Sequence, residues 1–364
     1  MNAPLTADER VRRKAACHTV YPGFRTLTPA EDFAAMADWC AANGVVHDVY
    51  GEGRLIAEFE ARIAGLLGKD AAAFMPSGTL AQMVAVRIWT QRAGLGRFGM
   101  HPTSHLHLHE REAYQAMFGL HGALIGDRRR PILSEDLGGA GQPLACLIVE
   151  LPAREIGGQA PDWDQLEALK GAARAAGVPL HMDGARLWEG RAFYGKSHAE
   201  IAAGFESVYV STYKGLGGLA GAVLAGDADF IAEARLWQRR FGGNLVTQTA
   251  MVASAAMRFE ARLAALDGCY ARTLELARGL ASLPGIRVNP ATPQANMLHL
   301  FFDAEAATVT ARRDAIAAET GVWVINDARP SDVPGWSMTE LYVGDTLCET
   351  TDADALAAFA RLVA

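Results

Sequence analysis

An aspartate and a lysine, each set at the end of a short apolar run, are the residues of this chain best placed for covalent chemistry. Asp183 lies in LHMDGARLW (180–188), and Lys214 lies in SVYVSTYKGLGG (207–218), followed by Gly215, Gly217 and Gly218. A lysine amine forms an imine with an aldehyde, and a carboxylate keeps a pyridine nitrogen protonated so that the ring accepts electrons. Together they suit an enzyme that holds pyridoxal 5'-phosphate (PLP) as a Schiff base. The amine must be neutral to react, so its surroundings have to lower its pKa. The glycines let the backbone run close to a cofactor. Taken singly, Asp183 reads equally as a turn cap and Lys214 as a surface lysine, and the specificity lies in the combination.

Ser77, Gly78 and Thr79 follow the run AAAFM and Pro76 and open a helix rich in Ala and Val. Free backbone N–H groups at such a start, with two hydroxyls, seat a phosphate. A plain N-cap uses the same residue types. Beside Asp183 and Lys214 the phosphate reading is preferred. Arg186, three residues beyond Asp183, projects near the same mouth, where a guanidinium forks onto a substrate carboxylate or pairs with Glu189. His105, His107 and His109 alternate, so on a strand they would share one face, as a zinc site requires. No cysteine or aspartate at ligand spacing joins them, although Glu110 is close by. No metal is expected, and an imidazole stacked on a pyridine ring is the preferred use.

These groups need elements to hold them. Helical periodicity covers 53–68, 163–177 and 246–282, and a helix opens at Gly78. Short apolar strands read at 71–75, 144–150, 179–183, 207–212 and 221–225. Short buried strands alternating with helices predict an α/β fold with a mostly parallel central sheet. Ligands of such sheets sit beyond the carboxyl ends of the strands, where Asp183 and Lys214 both fall. Past the long helix, strands at 296–302, 322–325 and 338–343 and helices at 305–320 and 352–363 predict a smaller C-terminal α/β domain. The expected division is an N-terminal segment 1–44 serving the small domain or an interface, a large domain 45–250 and a small domain 251–364. The stretch 126–143 reads as an exposed loop.

Composition narrows the class. The chain has 364 residues, half of them apolar and 21% charged, as in an ordinary globular protein. A formal charge of −7 speaks against nucleic-acid binding, which wants a basic face. Cysteines 17, 40, 146, 269 and 348 form no CxxC pair, which fits reduced thiols in a cytoplasmic protein. No apolar run reaches membrane-spanning length, and the first residues carry no secretory h-region.

The segments HDVYGEG (47–53), AAAFMPSGTLAQ (71–82), SHLHLHE (104–110), LHMDGARLW and YKGLGG (213–218) resemble those of the threonine aldolase / β-eliminating lyase family, within the aspartate-aminotransferase-like PLP fold. The resemblance runs from about 44 to 250 and more weakly to the end. It implies a large PLP-binding domain with a smaller C-terminal domain, and a homodimer or homotetramer. It makes Lys214 the Schiff-base lysine, Asp183 the pyridine-nitrogen partner and His105 the stacking imidazole. Ser77, Gly78 and Thr79 become the phosphate loop, and Arg186 a contact to the ring hydroxyl and the substrate carboxylate. The implied reaction is cleavage of a β-hydroxy-α-amino acid to glycine and an aldehyde, with β-elimination or amino transfer as alternatives. A non-catalytic PLP-binding protein and a zinc hydrolase rank lower.

Three departures fall on the substrate side. Where the family has a carboxylate-binding arginine near the C-terminus, this chain has Glu340. Like charges about 4 Å apart repel by about 4 kcal/mol at an effective dielectric near 20, so Glu340 cannot substitute for it. An Asn-Thr-His run is replaced by Leu151–Arg154, which loses a histidine and gains Arg154. Thr247 stands in place of an arginine. Arg154 with Arg186 is therefore expected to anchor the substrate carboxylate.

Overall fold

The computed structural model describes residues 5–364. The chain forms two compact units. The larger comprises Leu27–Glu155 and Gln159–Ala264; the smaller holds the stretch up to Thr26, Ile156–Gly158 and Ala265–Ala364.

The larger unit is built on seven strands: β1 (Ala71–Met75), β2 (Arg97–Met100), β3 (His121–Leu124), β4 (Leu147–Glu150), β5 (Leu180–Gly184), β6 (Ser207–Ser211) and β7 (Ala222–Gly226). Their order across the sheet is β1-β7-β6-β5-β4-β2-β3, with only β7 antiparallel to its neighbours. The expected mostly parallel sheet is therefore present. It contains two strands, β2 and β3, that periodicity did not indicate. Strands β5, β6 and β7 are buried along their whole length, as continuous apolar runs in such sheets require.

The helices that cover this sheet follow from local chemistry. In α1 (Arg54–Leu67), Ile56, Phe59, Ile63 and Leu67 form one buried stripe, and Gly68 ends it with a left-handed φ of 62°. Helix α2 (Gly78–Ala93) is capped by Ser77, whose Oγ accepts the Leu80 N–H at 3.2 Å. Its Met83, Val84, Val86, Ile88 and Trp89 pack into the core with Phe98, Ile148, Leu224 and Phe230. Helix α3 (Trp163–Ala175) opens on a reciprocal capping box between Asp162 and Gln165. His181 is buried and satisfied, its ring nitrogens held by Ser207 and Gln82. Burial holds it neutral, with its pKa pushed down to about 3. Between 126 and 143 lies a short 3₁₀ turn, Ser134–Ala140.

The smaller unit has its own core, in which Leu276, Leu280, Leu298, Phe302, Ile316, Leu341 and Phe359 meet. Strands β8 (Ile286–Asn289), β9 (Met297–Phe302), β10 (Arg329–Pro330) and β11 (Ser337–Tyr342) form an antiparallel sheet in the order β10-β11-β9-β8. Among the described residues no helix is long and apolar enough to cross a membrane.

The long helix Thr249–Ala281 begins against a buried acid. Asp48 Oδ1 accepts the N–H groups of Gln248 and Thr249 at 2.7 and 2.8 Å and the hydroxyls of Thr247 and Thr249, both at 2.7 Å. Its Oδ2 accepts the Gly51 N–H at 2.9 Å. Burial alone would raise the Asp48 pKa, but these donors outweigh it and hold the acid at about 2. A carboxyl whose pKa is lowered on folding adds stability above its unfolded value near 4, and that stability disappears as the pH falls toward 2. Asp48→Asn should therefore cost about 2 kcal/mol at pH 7 and progressively less as the pH is lowered from 4 to 2, measured by urea unfolding across that range.

Candidate active site

The carboxyl ends of β1, β4, β5 and β6 bring Ser77, Glu150, Asp183 and Lys214 to one edge of the sheet. A cavity of about 290 Å³ opens there. Its walls include Ser77, Gly78, Thr79, His105, Glu110, Asp183, Tyr209, Tyr213 and Lys214. Six of the residues singled out in the sequence thus meet in one place.

Lys214 sits on a loop fastened at both ends. Ser211 Oγ accepts the N–H groups of Tyr213 and Lys214, each at 3.3 Å. The Thr212 carbonyl accepts the Gly218 N–H at 2.9 Å, and its hydroxyl donates to the Ala220 carbonyl, also at 2.9 Å. Gly215 and Gly221 are required here by space. A Cβ on Gly215 would lie 2.6 Å from the Glu189 carboxyl carbon, and one on Gly221 2.3 Å from the Phe74 ring. Gly221 also holds φ +109°, a left-handed value that side chains resist.

Asp183 is 2% exposed and accepts the Ala185 N–H at 3.1 Å on Oδ1. Burial lifts its pKa, against the pull of Lys214, the Ala185 N–H and His105. Burial lowers that of Lys214, reinforced by Arg186 and opposed by Asp183, Glu150 and Glu189. Each group is thus moved toward its neutral form by loss of water and back toward its charged form by the other. That is the condition a reactive amine needs.

His105 donates from Nδ1 to Glu110 Oε1 at 3.1 Å. A carboxylate only accepts, so the Nδ1 proton is fixed and Nε2 is left for the cavity. Arg111 and Glu112 follow with φ of 51° and 55°, backbone strain of about 1 kcal/mol or more apiece that accompanies the turn folding Glu110 back onto the ring. The alternating histidines do not lie on a strand. Residues His105–Leu108 make one helical turn, with Leu106 as the buried member. His109 turns its Nε2 to Glu155 at 2.9 Å, away from the partner of His105. Among the described residues no three His, Cys, Asp or Glu side chains gather as a metal site.

Arg154 and Arg186 are not among the residues lining the cavity. Arg186 is near enough to Lys214 and Glu150 to shift both. Arg154 holds Glu155 at 3.1 Å, and its N–H donates to Glu150 Oε1 at 3.0 Å. Glu150 itself gave no signal in the sequence. It pairs in register with Asp183, and its Oε2 is sealed from water without a partner.

Whether the cavity suits PLP can be tested on its own groups. The first-turn N–H groups of α2 have no helical acceptor, and Gly78 leaves room where a Cβ would lie 2.2 Å from the Tyr209 hydroxyl. A phosphate thus has donors and space, an aldehyde has an amine, a pyridine nitrogen has a carboxylate, and the ring has an imidazole. The residues fit the group.

Comparison with known proteins agrees with this geometry. The β-eliminating lyase family model matches residues 24–302. The low-specificity L-threonine aldolase 1 of Arabidopsis thaliana is 28% identical over 290 residues, 77% of this chain and 80% of that protein. A putative L-allo-threonine aldolase from Listeria monocytogenes superposes with a TM-score of 0.90 at 35% identity, covering 97% of each chain. A putative aromatic amino acid β-eliminating lyase/threonine aldolase from Exiguobacterium gives 0.89 at 37% identity, covering 96% of this chain and 98% of that one.

Burial and the neighbouring Asp183 push the Glu150 carboxyl up to about 7. A carboxyl raised on folding is a stability penalty that is absent at low pH and grows as the pH rises from the unfolded value near 4.5 through 7. Glu150→Gln should therefore leave the cofactor-free protein unchanged near pH 5 and stabilise it by about 1–3 kcal/mol at pH 8, read from denaturation midpoints.

Proposed function

The chain belongs to the β-eliminating lyase family, and from that premise we propose that it is a PLP-dependent lyase cleaving a β-hydroxy-α-amino acid of the threonine kind to glycine and an aldehyde. The observation that carries this reading is the meeting of a helix N-terminus, His105, Asp183 and Lys214 in one cavity. The threonine aldolase names of its relatives support the substrate class.

When bound, PLP supplies a sink for the electron pair left on Cα as the Cα–Cβ bond breaks. The residues of the chain do the rest. Ser77, Gly78 and Thr79 hold the phosphate. Lys214, its amine shifted toward neutrality by burial and Arg186, is the nucleophile for the aldehyde carbon. Asp183 would keep the pyridine nitrogen protonated. His105, oriented by Glu110, would pack on the ring and offer Nε2 to the β-hydroxyl proton. Arg186 and Arg154, both beside Glu150 at the rim of the site and not in its walls, would swing in to orient the substrate carboxylate. The same family likeness carries the expectation of a homodimer or homotetramer.

β-Elimination is the second reading, supported by the family description and by the Exiguobacterium relative. Purified protein with PLP and β-hydroxy amino acids should release glycine and aldehyde; release of ammonia and a 2-oxo acid instead would favour elimination. Borohydride treatment of the PLP-loaded protein should fix the pyridoxyl group on the peptide containing Lys214. Lys214→Ala should lose that adduct and on the order of 10⁴-fold or more in kcat. An adduct mapped to any other lysine would overturn the assignment.

A further inference from the structure

Tyr209 has no part in the reading so far. It lies in β6 opposite Asp183 of β5, and partners in register on neighbouring strands project to the same face. The residue is 3% exposed and its ring packs in the core, yet it reaches the cavity wall. Its hydroxyl stands against the start of α2, where a Cβ on Gly78 would lie 2.2 Å away. Among the described residues that hydroxyl makes no hydrogen bond. The hydroxyl opens on the cavity, where it is a donor available to a bound group. Burial and Asp183 hold the phenol pKa well above its usual value, which keeps the proton on. The Gly78 and Thr79 N–H groups are helical orphans at the same spot, whereas the Leu80 N–H is already taken by Ser77. Three donors therefore converge on one space, and that calls for an oxyanion with several lone pairs.

Resting on the PLP reading above, we propose that the Tyr209 hydroxyl donates a hydrogen bond to the phosphate of the bound cofactor. The test is Tyr209→Phe, with Kd measured by equilibrium dialysis for PLP and for pyridoxal, which lacks the phosphate. Phenylalanine keeps the ring in the core, and thermal unfolding without ligand should match the wild type. PLP binding should weaken about 10-fold or more, with pyridoxal binding unchanged within about 2-fold. Equal weakening of both ligands, or of neither, would overturn the proposal while leaving the PLP reading intact. A wild-type protein that binds no PLP would remove the premise itself.

A separate observation concerns two thiols of the smaller unit. The Sγ atoms of Cys269, on the long helix, and Cys348, on the helix Asp345–Glu349, are 3.5 Å apart. Cys348 is exposed and Cys269 buried. One helical turn on from Cys269, Arg272 holds the Leu347 and Thr350 carbonyls, both at 2.9 Å, and so keeps the Cys348 turn against the long helix. Closing to a bonded distance near 2.05 Å takes a shift of about 1.5 Å. The geometry points to a peroxide-oxidised disulfide at this pair. The Cys348 thiolate attacks hydrogen peroxide, the O–O bond breaks, and sulfur is oxidised to a sulfenic acid as hydroxide leaves. The Cys269 sulfur then attacks it, the S–S bond forms, the S–O bond breaks, and water departs with the thiol proton.

Treating the full-length protein with stoichiometric hydrogen peroxide should remove two of the five thiols and yield one cross-linked peptide pair containing Cys269 and Cys348. Cys269→Ser should leave the sulfenic acid at Cys348 trappable by dimedone. Over-oxidation of Cys348 with Cys269 still a thiol in the wild type, or a cross-link between other cysteines, would overturn it.

Discussion

The site depends on two opposite charges that have lost their water. Asp183 and Lys214 sit at the ends of neighbouring strands, in a pocket where burial works against the charge of each. Their mutual attraction restores part of what desolvation removes. Everything else maintains that balance. Glu150 and Glu189 add negative field, Arg186 adds positive field, and the parallel strands fix the distances. An amine shifted in this direction is the better suited to attack a carbonyl.

Much of this arrangement was legible in the sequence, because the groups concerned announce themselves locally. DGAR after an apolar run, YKGLGG after another and SGT at a helix start each mark a strand end, and the fold puts strand ends together. Strands β2 and β3 escaped notice for a physical reason. RFGM and HGAL are four residues long and each contains a glycine, which weakens any apolar period. Those glycines are there for space: Gly122 faces Met100 and Tyr114, and Gly99 faces Leu147 and Leu144. Only the folded neighbours explain them. The alternating histidines misled in the opposite direction. Their period was that of a strand, but Ser104 starts a helical turn, accepting the N–H groups of His107 and Leu108.

Long-range partners were the other blind spot. Asp48 lies in a motif that attracts attention by likeness alone, yet its work is to hold a helix start 200 residues away. Thr247 is one of the donors to that acid. The Thr247 hydroxyl thus helps to hold an ionised carboxylate at the start of the long helix. Glu150 was likewise invisible, since its significance comes from pairing with Asp183 across two strands.

The antiparallel strand β7 has a consequence beyond sheet topology. Because the chain reverses after β6, with Ser211 opposite Ala222, the lysine rides on a hairpin and not on a crossover helix. Its anchorage is made by Ser211 and Thr212 within the turn and by Ser254 of the long helix, whose Oγ accepts the Leu219 N–H at 2.9 Å. The amine therefore stands on four methylenes above a main chain pinned along the turn, and side-chain rotation alone sets how far it reaches.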